Sequence, residues 1–349
     1  MATDTGIEIR NLYKIFGPNS LAYVDAVKQG MTKAELQSAH GHVLSLKNIN
    51  ISMPAGCIQV VMGLSGSGKS TLIRHINRLI DPTVGEVLAG GVDVTKMSQK
   101  ELLQFRRHQT AMVFQKFALL PHRTVLGNVV YGLEIQGAPL AKQEEAARYW
   151  IERVGLSGFE DNYPNQLSGG MQQRVGLARA LANDALILLM DEAFSALDPL
   201  IRMDMQAILL DLQAETRKTV VFITHALDEA LRLGEKIAIL RDGEVIQQGT
   251  GQEIVLNPTN EYISNFVQEV NRGRVILVEA IMQPLASPAN AKGPPVSENS
   301  NLEDTARLMS DAGTNVAHVV DSDGKPSGSL AVQDVMSALV TPRRHDDAA

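Results

Sequence analysis

The sequence predicts an α/β fold organised around a glycine-rich loop that joins a buried strand to a helix. The apolar run 58–62 ends at this loop, and a helix-like stretch follows at 72–80. Two more apolar runs of strand length, 185–190 and 219–223, are typical of parallel strands covered on both faces. A strand, a glycine-rich turn, Lys-Ser and a helix form the arrangement that binds nucleotide phosphates. The loop residues are Gly63, Leu64, Ser65, Gly66, Ser67, Gly68, Lys69, Ser70 and Thr71.

The chemistry of this loop follows from its residue types. Glycines allow backbone N–H groups to turn inward as an anion nest, and the helix N-terminus adds partial positive charge. Lys69 is expected to carry a full charge to the β- and γ-phosphates, and the Ser70 hydroxyl to ligate Mg²⁺. A chance glycine-rich turn is the alternative. The complete G-x-x-x-x-G-K-S/T pattern between a strand and a helix favours phosphate binding.

Composition and charge exclude several functional classes. The 349 residues suffice for one large core and a smaller appended unit. The formal charge is −7, but residues 284–349 hold 5 basic against 9 acidic residues, so the main body is nearly balanced and shows no electrostatic sign of nucleic-acid binding. The single Cys57 fits a reducing compartment, and the N-terminus lacks an export pattern. No apolar run approaches bilayer length, so another chain would have to provide a membrane span.

The segment before the loop is predicted from its alternation and caps. Residues 7–16 are typical of an edge strand, in which Tyr13 and Phe16 are either base-stacking aromatics or half-buried strand aromatics. A helical stretch at 20–41 contains a Thr-x-x-Glu capping box and ends at a glycine. Residues 43–53 return to a strand pattern.

The segment after the loop alternates strands and helices before it becomes helical. Residues 85–94 predict a hairpin, and a second capping box opens a helix that ends at about His108. A strand at 110–114 leads to Gln115. Residues 116–165 are then mostly helical, which predicts a helical insertion in the α/β core.

Two further motifs, one at the start of a helix and one at the end of a strand, are candidate ligand-binding sites. Leu167-Ser168-Gly169-Gly170 precedes a helix, with Ser168 as its N-cap and two glycines that leave the first-turn N–H groups bare. A well-capped helix without a ligand is the alternative, but it does not require both glycines. The strand 185–190 ends in Asp191-Glu192, and two buried carboxylates there are costly unless a cation such as Mg²⁺ is near.

The remaining motifs belong to the last part of the core and to a small C-terminal unit. Asp198 and Pro199 are typical of a helix start, and the strand 219–223 ends at Thr224-His225. A hairpin follows across Asp242-Gly243. The proline-rich stretch 284–300 predicts a linker, and beyond it the pattern is helix, strand, strand, helix. This unit is too small to bury much by itself, so it needs a partner.

Taken together, these motifs resemble the ATPase subunit of an ABC transporter. The resemblance covers about residues 7–265 and is carried, in family order, by the loop at 63–71, Gln115, the Leu-Ser-Gly-Gly signature at 167–170, Asp191-Glu192, the stretch 195–198 and His225. A closer resemblance is to the importers of quaternary amines, the glycine betaine, proline betaine and choline group. It rests on residues 62–71, 77–83, 167–179, 190–202 and the extra helical stretch at 20–41.

The resemblance implies the architecture in more detail. The fold is expected to be a P-loop NTPase of the ABC ATPase type, with a RecA-like core, an antiparallel β-subdomain and a helical subdomain at about 116–182. A small α+β unit similar to one CBS repeat would follow. The implied domains are the ATPase at 1–283, a linker at 284–300 and a single CBS-like repeat at 301–349.

The resemblance also assigns catalytic roles. Glu192 would act as the general base on the attacking water. Gln115 would sense the γ-phosphate and the metal, and His225 would bind the edge of the γ-phosphate and orient the water. Ala226 departs from the acidic residue that commonly follows this histidine, and Met171 replaces a glutamine of many relatives.

ATP and Mg²⁺ are the implied ligands. Phe16 would stack on the base, and Ser168, Gly169 and Gly170 would reach the γ-phosphate bound by a second subunit. Asp198 is counted with these nucleotide-binding residues. Mg²⁺ would be held by Ser70, Gln115 and Asp191, the last through water.

The implied function is ATP-driven import of a compatible solute. The expected partners are a second copy of the chain, membrane permease subunits gripped by residues 115–122 and, indirectly, an external solute-binding protein, with no nucleic acid. The expected location is the cytoplasmic face of the membrane. The alternatives are a soluble ABC ATPase acting on ribosomes or DNA and an importer ATPase for another small solute. Ligand sensing, dimerisation and a vestigial role stay open for the C-terminal unit.

Overall fold

A computed structural model describes residues 5–115, 117–285 and 291–340 of the chain. They belong to two compact units, residues 1–248 and 249–349. Within the described ranges, no helix combines the length and apolarity needed to cross a membrane. Lys116 of the expected permease-facing segment lies outside the described residues, as do parts of the predicted linker and of the CBS-like repeat (286–290 and 341–349).

The strands and helices of the first unit lie close to their predicted positions. The strands are β1 (Ile7–Phe16), β2 (Val43–Met53), β3 (Ile58–Met62), β4 (Val84–Ala89), β5 (Val92–Asp93), β6 (Thr110–Val113), β7 (Ile187–Asp191), β8 (Thr219–Thr224), β9 (Lys236–Arg241) and β10 (Glu244–Gly249). The helices are α1 (Val24–Lys28), α2 (Lys33–His40), α3 (Lys69–Ile76), α4 (Gln99–His108), α5 (Val125–Val129), α6 (Tyr131–Gln136), α7 (Leu140–Arg153), α8 (Gly169–Ala182), α9 (Pro199–Thr216) and α10 (Leu227–Leu233).

The first sheet is antiparallel, in the order β2-β1-β4-β5. Strand β1 pairs on both sides, with Ile9 opposite Ile51 of β2 and opposite Val87 of β4. The prediction that β1 is an edge strand is therefore wrong. Its alternation reports only that one face is buried, and this pattern is the same for edge and interior strands.

The second sheet has the order β10-β9-β3-β8-β7-β6, and β6, β7, β8, β3 and β9 are parallel. Met62 at the end of β3 is opposite Thr224 at the end of β8. Met190 of β7 is opposite Phe222 of β8. Because parallel strands share one carboxyl edge, the residues that follow β3, β6, β7 and β8 meet there. The parallel core predicted from the apolar runs is confirmed.

Helix α3 is anchored between the two sheets. Its Leu72, Ile73 and Ile76 are at most 1% exposed and belong to one core with apolar residues of both sheets. Burial of each such side chain contributes about 1.5–3 kcal/mol. The helix that follows the glycine-rich loop is therefore fixed on both sides, and so is the loop at its start.

The helical segments of the first unit also follow their predicted signals. The stretch 20–41 forms a short turn and then α1 and α2, and the capping box of Thr32 and Glu35 is present. Gly41 ends α2 in the left-handed conformation. Helices α5 to α8 form the predicted helical insertion, with α8 packed against both α5 and α7.

The second unit is an α+β structure that includes part of the predicted linker. Its helices are α11 (Gly251–Leu256), α12 (Glu261–Phe266), α13 (Arg272–Val275), α14 (Leu302–Asp311) and α15 (Val332–Leu339). Its sheet has the order β11-β14-β13-β12, from Gln283–Pro284 (β11), Pro295–Ser297 (β12), Val316–Val320 (β13) and Pro326–Ala331 (β14). The division into domains at 283 and 300 stays a prediction.

Two short strands lie within or at the start of the segment that was predicted to be a linker. Within 284–300, β12 pairs parallel with β13, and Pro284 belongs to β11, which pairs antiparallel with β14. Proline lacks a backbone N–H and is tolerated on outer strands, so proline content does not exclude a strand at a sheet edge. Val296 is 4% exposed, which shows that β12 covers part of the core of this unit.

Arg272 holds the second unit together from its interior. Its Nε donates to the Ala338 carbonyl at 2.7 Å and its Nη1 to the Val255 carbonyl at 3.0 Å. Burial lowers the pKa of Arg272. One guanidinium thus ties the helix ends of α11 and α15 to α13.

We expect Arg272→Ala to destabilise the second unit by about 2–4 kcal/mol, because two charge-assisted hydrogen bonds are lost and two carbonyl groups are left unpaired. Hydrogen exchange of the β13 amides under native conditions measures the effect. Arg274→Ala is the matched control, since Arg274 lies in the same helix but pairs with Glu303 at the surface. Equal protection of β13 in both variants would contradict the role of Arg272.

Candidate active site

The glycine-rich loop has a backbone that no other residue type fits. Gly63 has φ +152°, and a Cβ there would lie 2.1 Å from the Leu240 carbonyl oxygen. Gly68 has φ +102°, and its Cβ would lie 2.8 Å from the Ser45 carbonyl oxygen. The close approach of neighbouring backbone on both flanks therefore requires glycine at both positions.

The loop leaves the N-terminus of α3 open for an anion. Gly68 is the N-cap of α3, and no side chain caps this end. The first-turn N–H groups and the positive end of the helix dipole therefore face the cleft above the loop. The cleft has a volume of about 270 Å³ and is lined by Ser45, Ser65, Gly66, Gly68, Lys69, Ser70, Thr71, Gln115 and Glu192.

Lys69 is held inside the loop by the loop's own backbone. Its side chain is 4% exposed, and Nζ donates to the carbonyl oxygens of Gly63 at 2.8 Å and Leu64 at 3.0 Å. Burial lowers the pKa of Lys69, while the nearby carboxylates of Glu192 and Asp191 act in the opposite direction. The amine is thus positioned at the cleft floor, where phosphate charge would offset the cost of its burial.

Asp191 ends β7 as a fully buried carboxylate with two partners on α3. Ser70 Oγ donates to Oδ1 at 2.8 Å, and Arg74 Nη2 lies 3.4 Å from Oδ2. Arg74 was not among the predicted site residues. It lies four residues after Ser70, and this i,i+4 spacing in a helix is the sequence signal that could have found it.

The predicted metal ligands suit Mg²⁺ chemically. Hydroxyl, carboxylate and amide oxygens are the hard ligands that Mg²⁺ prefers, and Mg²⁺ keeps waters and takes phosphate oxygens rather than a full protein cage. Ser70 and Asp191 already lie within hydrogen-bond distance. Gln115 contacts Glu192 and lines the same cleft. The side chains of Ser70, Gln115 and Asp191 are therefore suitable ligands for Mg²⁺.

Glu192 is the point at which the predicted catalytic residues converge. Gln115 Nε2 donates to its Oε2 at 2.8 Å, His225 Nδ1 lies 3.7 Å from Oε1, and Lys69 Nζ lies 4.0 Å from Oε1. The residue has φ +48°, a left-handed conformation that is unfavourable by roughly 1–2 kcal/mol for a non-glycine residue. Strain of this kind is concentrated at functional sites, and here it aims the carboxylate at the cleft.

A polar network that sequence reasoning missed supports the strand end before His225. Thr224 Oγ1 donates to Glu229 Oε2 at 2.5 Å, and Gln206 Nε2 donates to Glu229 Oε1 at 3.2 Å. Arg202 Nε lies 3.7 Å from the same Oε1. The side chain of His225 is 58% exposed above this network. The network fixes the end of β8, and the imidazole of His225 stays exposed at the edge of the cleft.

The two candidate stacking aromatics are separated by their burial. Tyr13 is 7% exposed and packs in a small apolar cluster, so it is a strand aromatic of the core. Phe16 is 40% exposed and opposite Val43, which precedes the cleft residue Ser45 by two positions on the same face of β2. Two residues of a strand span about 7 Å, so the backbone of Phe16 lies near the cleft residue Ser45.

The predicted signature residues and Asp198 stand at the starts of two helices. Ser168 Oγ accepts a hydrogen bond from Met171 N at 3.3 Å and caps α8, as predicted. Asp198 caps α9 in the same way, through Ile201 N at 3.1 Å. Among the described residues, none of the predicted signature set, Ser168, Gly169, Gly170 and Asp198, lines the loop cleft. One chain therefore does not bring these residues to its own phosphate loop.

Comparison with known proteins identifies the class of this site. The profile of the ABC transporter family matches residues 46–195. The dimeric structure of MJ0796, a bacterial ABC transporter cassette, is similar with a TM-score of 0.62 and 34% identity, over 70% of this chain and 98% of that one. A post-hydrolysis dimer of the same cassette bound to ADP and Pi is similar to the same extent in TM-score. The chain belongs to the family of ABC transporter ATP-binding subunits, which hydrolyse ATP.

Several similar proteins are named as ATP-binding proteins for the transport of glycine betaine, proline betaine or trimethylamine N-oxide. The glycine betaine transport ATP-binding protein OpuAA of Bacillus subtilis is 47% identical over 95% of this chain and 78% of its own length. ProV of Escherichia coli, from a glycine betaine/proline betaine transport system, is 45% identical over 98% and 84%. TmoW of Ruegeria pomeroyi, from a trimethylamine N-oxide transport system, is 41% identical over 96% and 97%.

We expect Ala226→Thr to be more stable than Ala226→Val by about 1 kcal/mol, measured by urea unfolding. Ala226 is the N-cap of α10, has extended backbone and offers no capping oxygen. Threonine supplies that oxygen, and valine has the same shape without it. Threonine is preferred over aspartate because Glu192 and Glu229 line the adjacent small cavity. Equal stability of the two variants would mean that α10 gains nothing from a cap.

Proposed function

We propose that this chain powers the import of a small methylated-ammonium solute by hydrolysing ATP between two copies of itself. The observation that carries the proposal is the convergence on Glu192. Side chains that follow three different strands, Gln115, Glu192 and His225, meet above a loop whose Lys69 faces the phosphate position. The signature that would complete the site lies elsewhere on the same chain.

Each residue of the proposed site has its own role in the transfer of the phosphoryl group to water. The Glu192 carboxylate accepts the proton of the attacking water, and Gln115 and His225 orient that water against the γ-phosphate. Lys69 and the open N-terminus of α3 neutralise charge on the β- and γ-phosphates. Ser70 and Asp191, with Gln115, would hold Mg²⁺, which spreads the developing charge when it is bound.

The missing half of the site comes from a second copy in this proposal. Ser168, Gly169 and Gly170 present a hydroxyl and bare helix N–H groups at the surface, which suit the γ-phosphate bound by another subunit. A two-fold arrangement lets each chain supply one loop and one signature. Phe16 beside the cleft would stack on the base, and Asp198 would join the nucleotide contacts from the partner.

The solute is chosen by other chains. We expect a membrane permease, contacted by Gln115 and residues 117–122, and an external binding protein to select it, with this chain at the cytoplasmic face. Glycine betaine, proline betaine and trimethylamine N-oxide, named for the relatives, share a methylated nitrogen and a compact dipole. Trimethylamine N-oxide is the second candidate because TmoW, which is 41% identical over 97% of its own length, is named for its transport.

The C-terminal unit is proposed as a dimerisation module. Leu308, Met336 and Val340 are 39%, 54% and 60% exposed on or beside its helices α14 and α15. Pairing of two such surfaces would cover them and raise the local concentration of the ATPase units.

Uptake in cells that lack this chain tests the proposal. We expect labelled glycine betaine or trimethylamine N-oxide to accumulate only when the wild-type chain is supplied. Glu192→Gln is the control, because its side-chain oxygen still accepts from Gln115 but cannot act as a base, so turnover should fall about 10²- to 10⁴-fold. Undiminished uptake with Glu192→Gln, or uptake of neither solute, would contradict the proposal.

Mixing two inactive variants tests the shared site. Lys69→Ala removes the loop cation, and Ser168→Asp keeps the cap of α8 but repels a phosphate. We expect each variant alone to be inactive and a mixture to regain up to about a quarter of wild-type ATP turnover. Half of randomly formed dimers are mixed, and each then holds one complete site of two. No recovery in verified mixed dimers would argue against assembly in trans.

A further inference from the structure

His42 joins the end of α2 to β2 and has a carbonyl partner at each of its ring nitrogens. The residue is 4% exposed. Its Nδ1 lies 2.7 Å from the His40 carbonyl oxygen, and its Nε2 lies 2.6 Å from the Pro18 carbonyl oxygen. Pro18 belongs to the turn that follows β1 and precedes His42 by 24 residues. The imidazole therefore connects two separate segments of the chain, and we call these two contacts the His42 bridge.

The two carbonyl partners require a hydrogen on both ring nitrogens. A carbonyl oxygen only accepts hydrogen bonds, and a neutral imidazole carries one N–H and one lone pair. In the neutral form, one of the two contacts would bring two lone pairs together, whereas the imidazolium donates at both. The Tyr23 ring has its centroid 4.4 Å from that of His42, which is close enough to attract a cation. The geometry of the bridge therefore fits the doubly protonated ring.

The same ring occupies the space of a side chain at Gly17. Gly17 has φ +141°, and a Cβ there would lie 2.3 Å from His42 Cδ2 and 2.7 Å from Nε2. The imidazole thus lies directly against the backbone of the residue that follows Phe16. Glycine at this position is what allows the ring to reach the Pro18 carbonyl.

The helical stretch 20–41 supports His42 from the other side. This stretch is fixed to the ends of β1 and β2 by a small apolar cluster, in which its own members are at most 3% exposed. The buried members of the cluster are Val24, Val27 and Leu36 of the stretch and Tyr13, Ile15 and Leu44 of the strands. Because the end of α2 is held in this way, His42 has a fixed position over the turn after β1.

The turn held by His42 directly follows the residue that is proposed to stack on the base. Phe16 is opposite Val43 at the end of the pairing between β1 and β2. Gly17 and His42 lie immediately beyond this pair, one on each strand. Paired residues project from the same face, and Ser45, two positions after Val43, lines the loop cleft. The place of Phe16 relative to the cleft therefore depends on how firmly these strand ends are held.

We infer that His42 is a positioning residue that makes this chain select a nucleotide over a bare phosphate chain. The His42 bridge fastens the turn at 17–18 to the end of α2 and so holds Phe16 where an adenine ring can stack. The helical stretch 20–41 is then a support for base recognition. This inference rests on the stacking of Phe16 in the proposed function.

His40 provides a matched control. Its exposed ring also packs against Tyr23, with 4.7 Å between the centroids. His40 contributes only its backbone carbonyl to the bridge. Replacement of its side chain therefore removes a histidine beside Tyr23 and leaves both contacts of His42 in place.

Titration calorimetry of the full chain with ATP and with inorganic tripolyphosphate, both with Mg²⁺, tests the inference. The Glu192→Gln background keeps the nucleotide intact. We expect His42→Leu to weaken ATP binding at least about fivefold, as expected for loss of base stacking, and to change tripolyphosphate binding less than about twofold. Phe16→Ala should show the same pattern. His40→Leu should change neither affinity more than about twofold, and His42→Gln, which retains an N–H donor for Pro18, should lose less ATP affinity than His42→Leu.

Four results of this titration would overturn the inference. They are an unchanged ATP affinity in His42→Leu, equal losses for ATP and tripolyphosphate, the same loss in His40→Leu, and a loss in His42→Gln as large as that in His42→Leu.

Gly17→Ala gives an independent measurement of the same contact. Its methyl group would displace the imidazole, so we expect it to weaken ATP binding about threefold more in a chain that has His42 than in a chain with His42→Ala. Any cost of the positive φ at this position is common to both chains and cancels. Equal effects in the two chains would mean that the ring and the turn act independently, which would contradict the inference.

Binding without turnover separates this inference from the proposed function. Selective loss of ATP affinity in both His42→Leu and Phe16→Ala, in a protein whose wild type fails to hydrolyse ATP or to support solute uptake, would refute the proposed import and leave the role of His42 standing. Loss in Phe16→Ala but not in His42→Leu would refute the role of His42 and leave the stacking of Phe16 standing. Unchanged ATP binding in Phe16→Ala would refute both.

Discussion

The absence of side chains at Gly63 and Gly68 is the constraint on which the rest of the site depends. The carbonyl oxygens of Leu240 and Ser45 approach these glycines so closely that a Cβ would overlap them. One contact comes from the parallel sheet and the other from the antiparallel sheet. The loop is thus clamped between both sheets. Lys69 can turn back onto the loop carbonyls, and α3 can begin without a cap, only because this backbone shape is fixed.

The two adjacent acidic residues at the end of β7 lie in different environments. Asp191 lies inside the fold and is held by Ser70 and Arg74, whereas Glu192, the next residue, turns outward through a left-handed backbone. Strand alternation alone would place neighbours on opposite faces. The turn at Glu192 brings its carboxylate into the loop cleft, beside Gln115 and His225, while Asp191 stays buried. The unfavourable backbone conformation at Glu192 therefore places the proposed base beside the groups that are proposed to orient the water.

The proposed pairing of two chains rests on the place of the signature in the fold. Ser168 caps α8, and none of Ser168, Gly169 and Gly170 is among the residues that line the loop cleft of the described chain. In the proposed pair, each chain therefore supplies its loop to one site and its signature to the other.

Sequence alone determined the elements of local origin, and tertiary structure decided the contacts between distant segments. The glycine pattern, the caps at Thr32, Ser98, Ser168 and Asp198, and the buried parallel strands follow from short-range stereochemistry and burial, so they were predictable. Tyr13 and Phe16 were equivalent by pattern, and only the packing of Tyr13 in a small apolar cluster separated them. Three other findings depend on which segments meet in space. They are the interior place of β1, the strands in a proline-rich stretch, and the polar contacts of Arg74 and Glu229. Periodicity reports which face of an element is buried, but it does not report what covers that face.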